Sequence, residues 1–300
     1  MKQWNNITII GVGLIGGSLA KALKKAGLVK NVTGYGTREE SLQKSQQLGV
    51  VDQYTLSLQE AVQGADVVVL AVPLGAMEAV LKEMQPFLSE ETLLTDVGSA
   101  KTSVLNAVKA AFGRIPKRFV AGHPIAGKEK SGVEAACENL FVDHRVILTP
   151  TEDTDKDALA ELTELWQATG ACVSEMTPEF HDEVFAATSH LPHLLAFGLV
   201  NLLNEHEELG NVFQYTAGGF RDFTRIASSD AVMWRDIALT NRDAIVKWLN
   251  HYQAEIQALT ELVGSGDGQR LHDYFAQAKQ ARDEHIVKPN EIKDGSQAKP

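Results

Sequence analysis

The first half of the chain alternates short apolar runs with longer segments in which apolar positions recur every three or four residues. Between residues 1 and 176 the short runs are rich in Val, Ile and Leu and show little polar alternation, as in strands buried on both faces. This order predicts repeated β-α-β units and a parallel sheet. The predicted strands are 7–10, 32–35, 67–71, 93–95, 119–121, 146–148 and 172–175, and the predicted helices are 15–26, 38–48, 76–87, 101–112 and 155–168.

From residue 177 the pattern changes to long stretches with a period near 3.6 and no strand-like run. We therefore predict an α/β domain at 1–176 followed by an all-α helical domain at 177–286. The helical half is so rich in apolar faces that a second subunit, its own helices or the sheet domain must cover them. The last stretch, 287–300, is polar and is predicted to be a disordered tail or linker.

Composition and charge indicate what kind of molecule the protein binds. A length of 300 residues with 44% hydrophobic residues suits two domains, and the net charge of −11 disfavours a nucleic-acid surface. No uninterrupted apolar run approaches the ~20 residues of a membrane span, and the N-terminus does not resemble a signal peptide. We expect a soluble cytoplasmic protein with a small-molecule partner. Cys137 and Cys172 fit neither a disulfide framework nor a zinc site.

A glycine-rich loop joins the first predicted strand to the first predicted helix. It reads Gly11, Gly13 and Gly16 with Leu14 and Ile15 between the last two, which is the GxGxxG pattern in its proper context. The glycines allow a tight turn, the approach of a pyrophosphate and close helix packing, while the helix N-terminus offers N–H groups to the anion. We predict a Rossmann-type dinucleotide-binding domain at 1–176; the alternative is a glycine turn without a ligand.

The end of the second predicted strand bears on the choice between NAD and NADP. A site that prefers NAD usually has an Asp or Glu there for the ribose hydroxyls. This chain has Gly36, Thr37 and Arg38 instead, and a hydroxyl beside a guanidinium suits a 2′-phosphate. The pattern favours NADP, with NAD still possible. Arg38 could also be an ordinary solvated residue, with Glu39 or Glu40 on the ribose of NAD.

Two loops after predicted strands are dense in polar groups. One contains Ser99 and the other contains His123. Ligands bind outside the carboxyl ends of parallel strands, so we expect both loops at the nicotinamide end of the cofactor. A histidine in such a loop is also often a structural hydrogen bonder.

Polar groups also cluster in the helical half. His181 and Asp182 precede His190 and His193, although these last two could instead cap or kink the helix around Pro192.

Further along, Arg221 and Arg225 stand four residues apart and Trp234 follows them. Arginines and histidines beside a hydride-transfer cofactor suggest an anionic substrate, in particular a carboxylate. The alternative is a solvated ion-pair cluster that contributes little.

Five motifs in order make the chain similar to a known family. They read GVGLIGGS, TDVGSAK, GHPIAGKEKSGVEAA, HDEVFAATSHLPH and GGFRDFTRIASSDAVMWRDI, and lie between about residues 7 and 285. The chain resembles the prephenate/arogenate dehydrogenases, also called cyclohexadienyl dehydrogenases or the TyrA family. The resemblance implies oxidative decarboxylation of prephenate to 4-hydroxyphenylpyruvate, of arogenate to tyrosine, or both. It also implies a homodimer built through the helical domain, and no metal.

The same resemblance assigns roles to single residues. It implies that His123 is the catalytic histidine that accepts a hydrogen bond from the C4 hydroxyl of the substrate. Ser99 would bridge that histidine, the hydroxyl and the nicotinamide, and Arg225 would hold the substrate carboxylate. The other matching positions in the pocket, at its mouth or in support of it are Glu129, Asp182, His190, His193 and Trp234.

Two other functions account for fewer of these residues. A β-hydroxyacid or 6-phosphogluconate type of dehydrogenase generally uses a Lys in its helical domain, whereas the polar cluster here is His and Arg. A dinucleotide sensor without catalysis would not need His123, Ser99 and Arg225 together. The chain leaves no room for the chorismate mutase or regulatory ACT domain of some relatives, but residues 287–300 could begin a linker to a C-terminal EPSP synthase.

Overall fold

A single eight-stranded sheet organises the first part of the chain in the computed structural model, which describes residues 2–128, 130–206, 208 and 210–286. The order across the sheet is β3-β2-β1-β4-β5-β6-β7-β8. The strands are β1 Trp4–Ile10, β2 Val29–Tyr35, β3 Gln53–Thr55, β4 Val67–Leu70, β5 Leu93–Asp96, β6 Phe119–Pro124, β7 Arg145–Thr149 and β8 Cys172–Glu175.

Six α-helices of the described residues lie between these strands, and six follow the last strand. The first six are α1 Leu14–Lys25, α2 Glu39–Gln47, α3 Leu58–Val62, α4 Met77–Met84, α5 Lys101–Phe112 and α6 Lys156–Gln167. The others are α7 Pro178–Phe185, α8 Leu191–Glu205, α9 Gly218–Thr224, α10 Ala231–Thr240, α11 Arg242–Gly264 and α12 Gly268–His285. The predicted α/β fold class with a helical second part is confirmed.

The core lies on both faces of the sheet because successive strand residues point to opposite sides. Ile9 belongs to one buried cluster and its neighbour Ile10 to the other. The first cluster includes side chains of α1 and α6, and the second includes side chains of α3, α4 and α5. This layered packing leaves the carboxyl ends of the strands as the edge where loops can form a site.

The prediction of a wholly parallel sheet is wrong at one pairing, so that the last two strands, β7 and β8, run opposite to the other six. Strands β1 to β6 pair in parallel, but β7 pairs antiparallel to β6, with His123 opposite Ile147. In the described part of the connection from β6 to β7 the only helical turn is the short 3₁₀ helix Val133–Ala135. A parallel return usually crosses over through an α-helix, and the described part of this connection contains none; here the chain reverses direction instead.

A glycine follows the C-cap residue of each of the first two helices. Gly27 and Gly49 have φ values of 68° and 66°, which places both in the left-handed region. The sequence pattern does not predict strand β3 or helix α3, which are three and five residues long. Strand β3 is polar and exists because it pairs with β2.

One continuous helical stretch carries the histidines of the second half. Helices α7 and α8 are joined by the π-helical turn Ala186–His190, in which Leu191 donates its N–H to the carbonyl of Ala186. Pro192, which has no N–H to donate, follows at the start of α8. The wide turn lets the helix continue past the proline, so the predicted kink does not divide it.

This stretch is also apolar. Residues Pro178–Glu205 form a helix of 28 residues with a mean hydropathy of 1.2 in its most apolar window, of which 22% is buried. By length and composition alone it could cross a membrane, which is weak support for a span. Polar residues such as Ser189 and His190 interrupt this helix. It therefore contains no uninterrupted run of the ~20 apolar residues typical of a membrane span.

The chain divides into two compact units, one up to Ile245 and one from Val246 onward. The first unit contains the sheet together with the helices from α7 to α10. In the second unit the hydroxyl of Tyr274 on α12 donates to a carboxylate oxygen of Glu255 on α11 over 2.6 Å. The predicted domain limits at 176 and 286 stay a prediction, and the predicted tail at 287–300 lies outside the described residues.

Candidate active site

The glycine loop after β1 has the shape of an anion cradle. Gly11 has a φ of 95°, and a Cβ there would lie 2.4 Å from the carbonyl oxygen of Ala71. A Cβ at Gly16 would meet the oxygen of Gly11 at 2.6 Å, whereas one at Gly13 would enter open space. No described side chain caps the N-terminus of α1. The open space beside free helix N–H groups fits the pyrophosphate of a dinucleotide.

The predicted cofactor-selecting residues lie at the exposed end of β2, next to this loop. The N–H of Gly11 donates to the carbonyl of Tyr35, the last residue of β2, over 2.9 Å. Gly36, Thr37 and Arg38 follow it, and the last two are exposed. The structure therefore brings the predicted 2′-phosphate residues and the glycine loop to the same edge of the sheet.

A buried ion pair fastens the ends of the next two strands together. The ammonium group of Lys101, at the start of α5, donates to Asp96 at the end of β5, and to the carbonyl of Gly122 in β6 over 2.6 Å. Asp96 in turn accepts the N–H groups of Gly98 at 2.7 Å and Gly122 at 3.1 Å. Both charged side chains are 0% exposed. This frame positions the loop that carries Ser99.

His123, the next residue of β6, begins a chain of hydrogen bonds. Its Nδ1 lies 2.8 Å from Nε2 of His181, and Nδ1 of His181 lies 2.8 Å from Oδ1 of Asp182. The carboxylate of Asp182 also accepts the backbone N–H groups of Lys101 at 2.7 Å and Thr102 at 2.9 Å, at the N-terminus of α5. The sheet, α5 and α7 thus meet through one run of polar groups.

Burial makes the ring of His123 a neutral group at neutral pH. It lowers the pKa of His123 well below its usual range, and His181, Lys101 and His190 lower it further. Burial also lowers the pKa of His181. Burial would raise the pKa of Asp182, but hydrogen bonds from His181, Lys101 and Thr102 outweigh it and keep the carboxylate ionised.

His190 lies beside this chain and is 1% exposed. The side-chain amide of Asn241 lies 3.2 Å from its Nδ1 and donates to the backbone carbonyl of Asp182 over 2.8 Å. Because the amide nitrogen is a donor, Nδ1 accepts and the proton of neutral His190 lies on Nε2. That Nε2 has no hydrogen-bond partner among the described residues. Burial lowers the pKa of His190 to about 4, against a raising effect from the Ser99 backbone.

His193 and Trp234 form a stacked pair across two helices. Their ring centroids are 3.9 Å apart at an interplanar angle of 23°, and Nδ1 of His193 donates to the carbonyl of Ser189 over 2.9 Å. Burial lowers the pKa of His193; the bond to Ser189 opposes this, and the charge of Arg225 adds to the lowering. Arg225 itself is exposed and opens the 3₁₀ turn Arg225–Ser228.

The structure therefore brings most of the predicted site residues into one region. His123 and His190 are electrostatically coupled, Ser99 borders His190, and His193 links Trp234 to Arg225. Glu129 lies outside the described residues. No group of three or more His, Cys, Asp and Glu side chains within the described ranges could hold a metal ion.

The sequence assigns no role to four residues that organise this site: Asp96, Lys101, His181 and Asn241. The adjacent His181 and Asp182 were visible as a polar pair at the start of a helix. Nothing in the sequence paired them with a strand end 58 residues earlier.

A mostly parallel sheet with a glycine-rich cradle and a buried neutral histidine at the carboxyl edge of its parallel strands is typical of a dinucleotide-dependent oxidoreductase. Two family models match the chain: prephenate dehydrogenase, nucleotide-binding domain, over residues 19–175, and prephenate dehydrogenase, dimerization domain, over residues 177–277.

Similar proteins point the same way. A prephenate dehydrogenase of Bacillus subtilis is 41% identical over 93% of this chain and 76% of its own length. A cyclohexadienyl dehydrogenase of Zymomonas mobilis is 36% identical over 96% of this chain and 100% of its own length. The structure of Aquifex aeolicus prephenate dehydrogenase with hydroxyphenyl propionate and NAD⁺ is 40% identical, with a TM-score of 0.87 over 93% of this chain and 98% of that chain.

The chain belongs to the prephenate dehydrogenase family. It is an NAD(P)-dependent oxidoreductase of tyrosine biosynthesis, with a nucleotide-binding domain followed by a dimerization domain. The resemblance drawn from the five sequence motifs is confirmed.

The buried histidines predict a dependence of stability on pH. The pKa of His190 is about 4 in the folded chain, against about 6.5 when unfolded, so below pH 6.5 the unfolded chain binds more protons. The free energy of unfolding should fall between pH 6.5 and 4, with about 3 kcal/mol of the loss due to His190. Urea unfolding at a series of pH values measures this loss.

His190→Gln should make this pH dependence shallower, because one group that gains a proton on unfolding is gone. His144→Gln is the matched control, since His144 is exposed. Equal slopes for wild type, His190→Gln and His144→Gln would contradict the assignment of His190 as a buried neutral ring.

Proposed function

We propose that the protein oxidises and decarboxylates prephenate, arogenate or both, with His123 as the general base. The observation that carries this proposal is the neutral ring of His123 at the carboxyl end of β6, on the same sheet edge as the glycine cradle. A neutral histidine can accept a proton at physiological pH, which is what removal of a hydroxyl proton requires.

When bound, NAD(P)⁺ supplies the acceptor for the hydride that leaves C4 of the substrate ring. His123 takes the proton of the C4 hydroxyl, so that C4 becomes a carbonyl carbon. The bond from the ring to its carboxylate then breaks, its electron pair enters the ring and CO₂ leaves. Aromatisation of the ring favours this loss, and the residues of the site mainly hold the reacting groups in place.

We assign the helical side of the site to the substrate. Arg225 is proposed to hold a substrate carboxylate through charge-assisted hydrogen bonds, next to the stacked pair of His193 and Trp234. His190 is buried beside the Ser99 backbone, and its N–H is proposed to donate to a substrate oxygen. Glu129, which lies outside the described residues, joins this proposed set on the sequence resemblance alone.

The loop from β5 to α5 is proposed to serve both substrate and cofactor. Ser99 is half-buried in it and its backbone borders His190. A serine hydroxyl can donate and accept at once, so Ser99 can bridge the substrate hydroxyl, His123 and the nicotinamide. Gly11, Gly13, Leu14, Ile15 and Gly16 are proposed to bind the pyrophosphate.

The dimerization family model supports a homodimer formed through the helical residues 177–286, with 1–176 as the dinucleotide-binding domain. Large apolar side chains stay exposed in the second compact unit and would be covered in such a dimer. They include Val246, Tyr252, Ile256, Val263 and Phe275. We further propose that the enzyme acts in the cytoplasm.

His123→Asn should lower kcat with prephenate or arogenate by about 10²–10⁴-fold, because the general base is lost. Binding of the dinucleotide should be unchanged, since the glycine cradle is untouched. Initial rates of cofactor reduction, with each substrate and each cofactor, measure kcat. Titration calorimetry measures the affinity for the dinucleotide. His144→Asn removes an exposed histidine and should act like wild type.

Near-normal turnover by His123→Asn would show that another group is the base. Folded wild-type protein that binds dinucleotide but turns over neither substrate would contradict the proposed function and favour a dinucleotide sensor.

We propose NADP as the favoured cofactor. Its support is local: Thr37 and Arg38 are exposed beside the glycine loop, and β2 ends without a carboxylate. A guanidinium matches a 2′-phosphate and has no such partner on NAD.

Arg38→Ala should lower kcat/KM with NADP by about tenfold or more and leave the value with NAD nearly unchanged, as loss of a charge-assisted hydrogen bond implies. Lys30→Ala removes an exposed cation near the opposite end of β2 and serves as the control. Equal effects of Arg38→Ala on both cofactors, or a wild-type preference for NAD, would overturn the assignment.

A further inference from the structure

The hydrogen bonds of His181 determine where its proton lies. The ionised carboxylate of Asp182 can only accept, so the ring nitrogen that faces it at 2.8 Å, Nδ1 of His181, carries the hydrogen. Burial keeps His181 neutral at physiological pH, because it lowers the pKa of the ring. Nε2 of His181 is therefore unprotonated and can only accept a hydrogen bond.

The proton of His123 follows from this arrangement. Nδ1 of His123 lies 2.8 Å from Nε2 of His181, and a contact that short between two ring nitrogens needs one hydrogen between them. Since Nε2 of His181 has none, Nδ1 of His123 must donate. The neutral ring of His123 then has its lone pair on Nε2, the nitrogen not used by His181.

We propose that His181, held by Asp182, is a positioning residue that keeps His123 in the Nδ1–H tautomer and leaves Nε2 free to take the substrate proton. The inference rests on the proposed function of His123 as general base. It assigns a role to a residue outside the set predicted from the sequence. A base in the wrong tautomer would present a hydrogen, rather than a lone pair, to the hydroxyl that it must deprotonate.

The surroundings of His181 hold both rings in this geometry. The ring of Phe185 packs against His123 and His181, with centroid distances of 5.0 and 4.5 Å. Asp182 is fixed from the other side by the N–H groups of Lys101 and Thr102, at the positive end of the α5 dipole. Rotation of either ring would break a buried hydrogen bond.

The alternative tautomer is disfavoured for a definite reason. If His123 carried its proton on Nε2, two lone pairs would face each other across the 2.8 Å contact with His181. Protonating His181 would relieve the repulsion, but that ring is 0% exposed and burial opposes its charge.

The direct test is the tautomer of His123 itself. Uniformly ¹⁵N-labelled wild-type protein gives separate imidazole signals for Nδ1 and Nε2, and comparison with His123→Asn identifies those of His123. We expect a protonated Nδ1 and an unprotonated Nε2 in wild type at pH 7.5. A protonated Nε2 would overturn the proposal, whatever the kinetics show.

Three variants separate this role from a merely structural one. His181→Phe removes the acceptor and should release the tautomer, lowering kcat by about 10²-fold with KM changed less than about threefold. His181→Gln keeps an amide oxygen that can accept from Nδ1, so it should retain the tautomer and recover kcat to within about tenfold of wild type. Thr92→Val is the control, because it removes a different buried hydrogen bond, from Thr92 to the carbonyl of Ala65.

Thr92→Val should leave kcat and the tautomer of His123 as in wild type. If His181→Phe keeps kcat within about twofold of Thr92→Val, the positioning role is wrong. Equal losses of kcat in His181→Phe and His181→Gln, with the tautomer unchanged in both, would also contradict it. Wild-type protein that lacks turnover would refute the proposed function instead, while the ¹⁵N signals would still report the tautomer.

Discussion

The carboxylate of Asp182 is the group on which the geometry of the site depends. It lies on α7, accepts the first two N–H groups of α5 and accepts the ring N–H of His181. Burying a carboxylate without such partners would cost on the order of several kcal/mol of folding free energy. The three N–H donors therefore stabilise the buried charge of Asp182. The carboxylate of Asp182 thus fixes the position of α7 relative to the carboxyl edge of the sheet.

A second buried charge pair, between Asp96 and Lys101, fastens the strand ends that carry the reacting loops. With its charges mutually compensated, a neutral histidine can lie next to it in a region from which water is largely excluded. This combination suits a reaction in which one group accepts a proton while a hydride leaves the same carbon. The glycine cradle, a few strands away on the same edge, provides the anion site that such a reaction needs.

Much of this architecture could be predicted from the sequence because it is local. Buried runs of Val and Ile marked the central strands, and GxGxxG marked the turn where Gly11 has a positive φ. Strand β3 escaped because its three polar residues gain their structure only by pairing with β2. The direction of β7 escaped because it depends on the path of a loop, and strand composition does not encode that path.

The site was predictable only in part, because some of its contacts join segments that are far apart in the sequence. His123 and Ser99 stand in loops that the β-α-β pattern places at the carboxyl edge. The contact between His123 and His181 arises from packing of α7 against α5, which no local pattern shows. Lys101 lies at the start of a predicted helix, where the local pattern does not indicate burial, yet it is completely buried.

The most direct test of this account is the protonation state of His123 in the folded enzyme, followed by ¹⁵N imidazole shifts from pH 8 downward. We expect its ring to stay neutral well below pH 6.5, because burial and the neighbouring rings disfavour the charged form. A ring that gains its proton at pH 6.5 or above would contradict the central claim that the fold holds a neutral base at the carboxyl edge of the sheet.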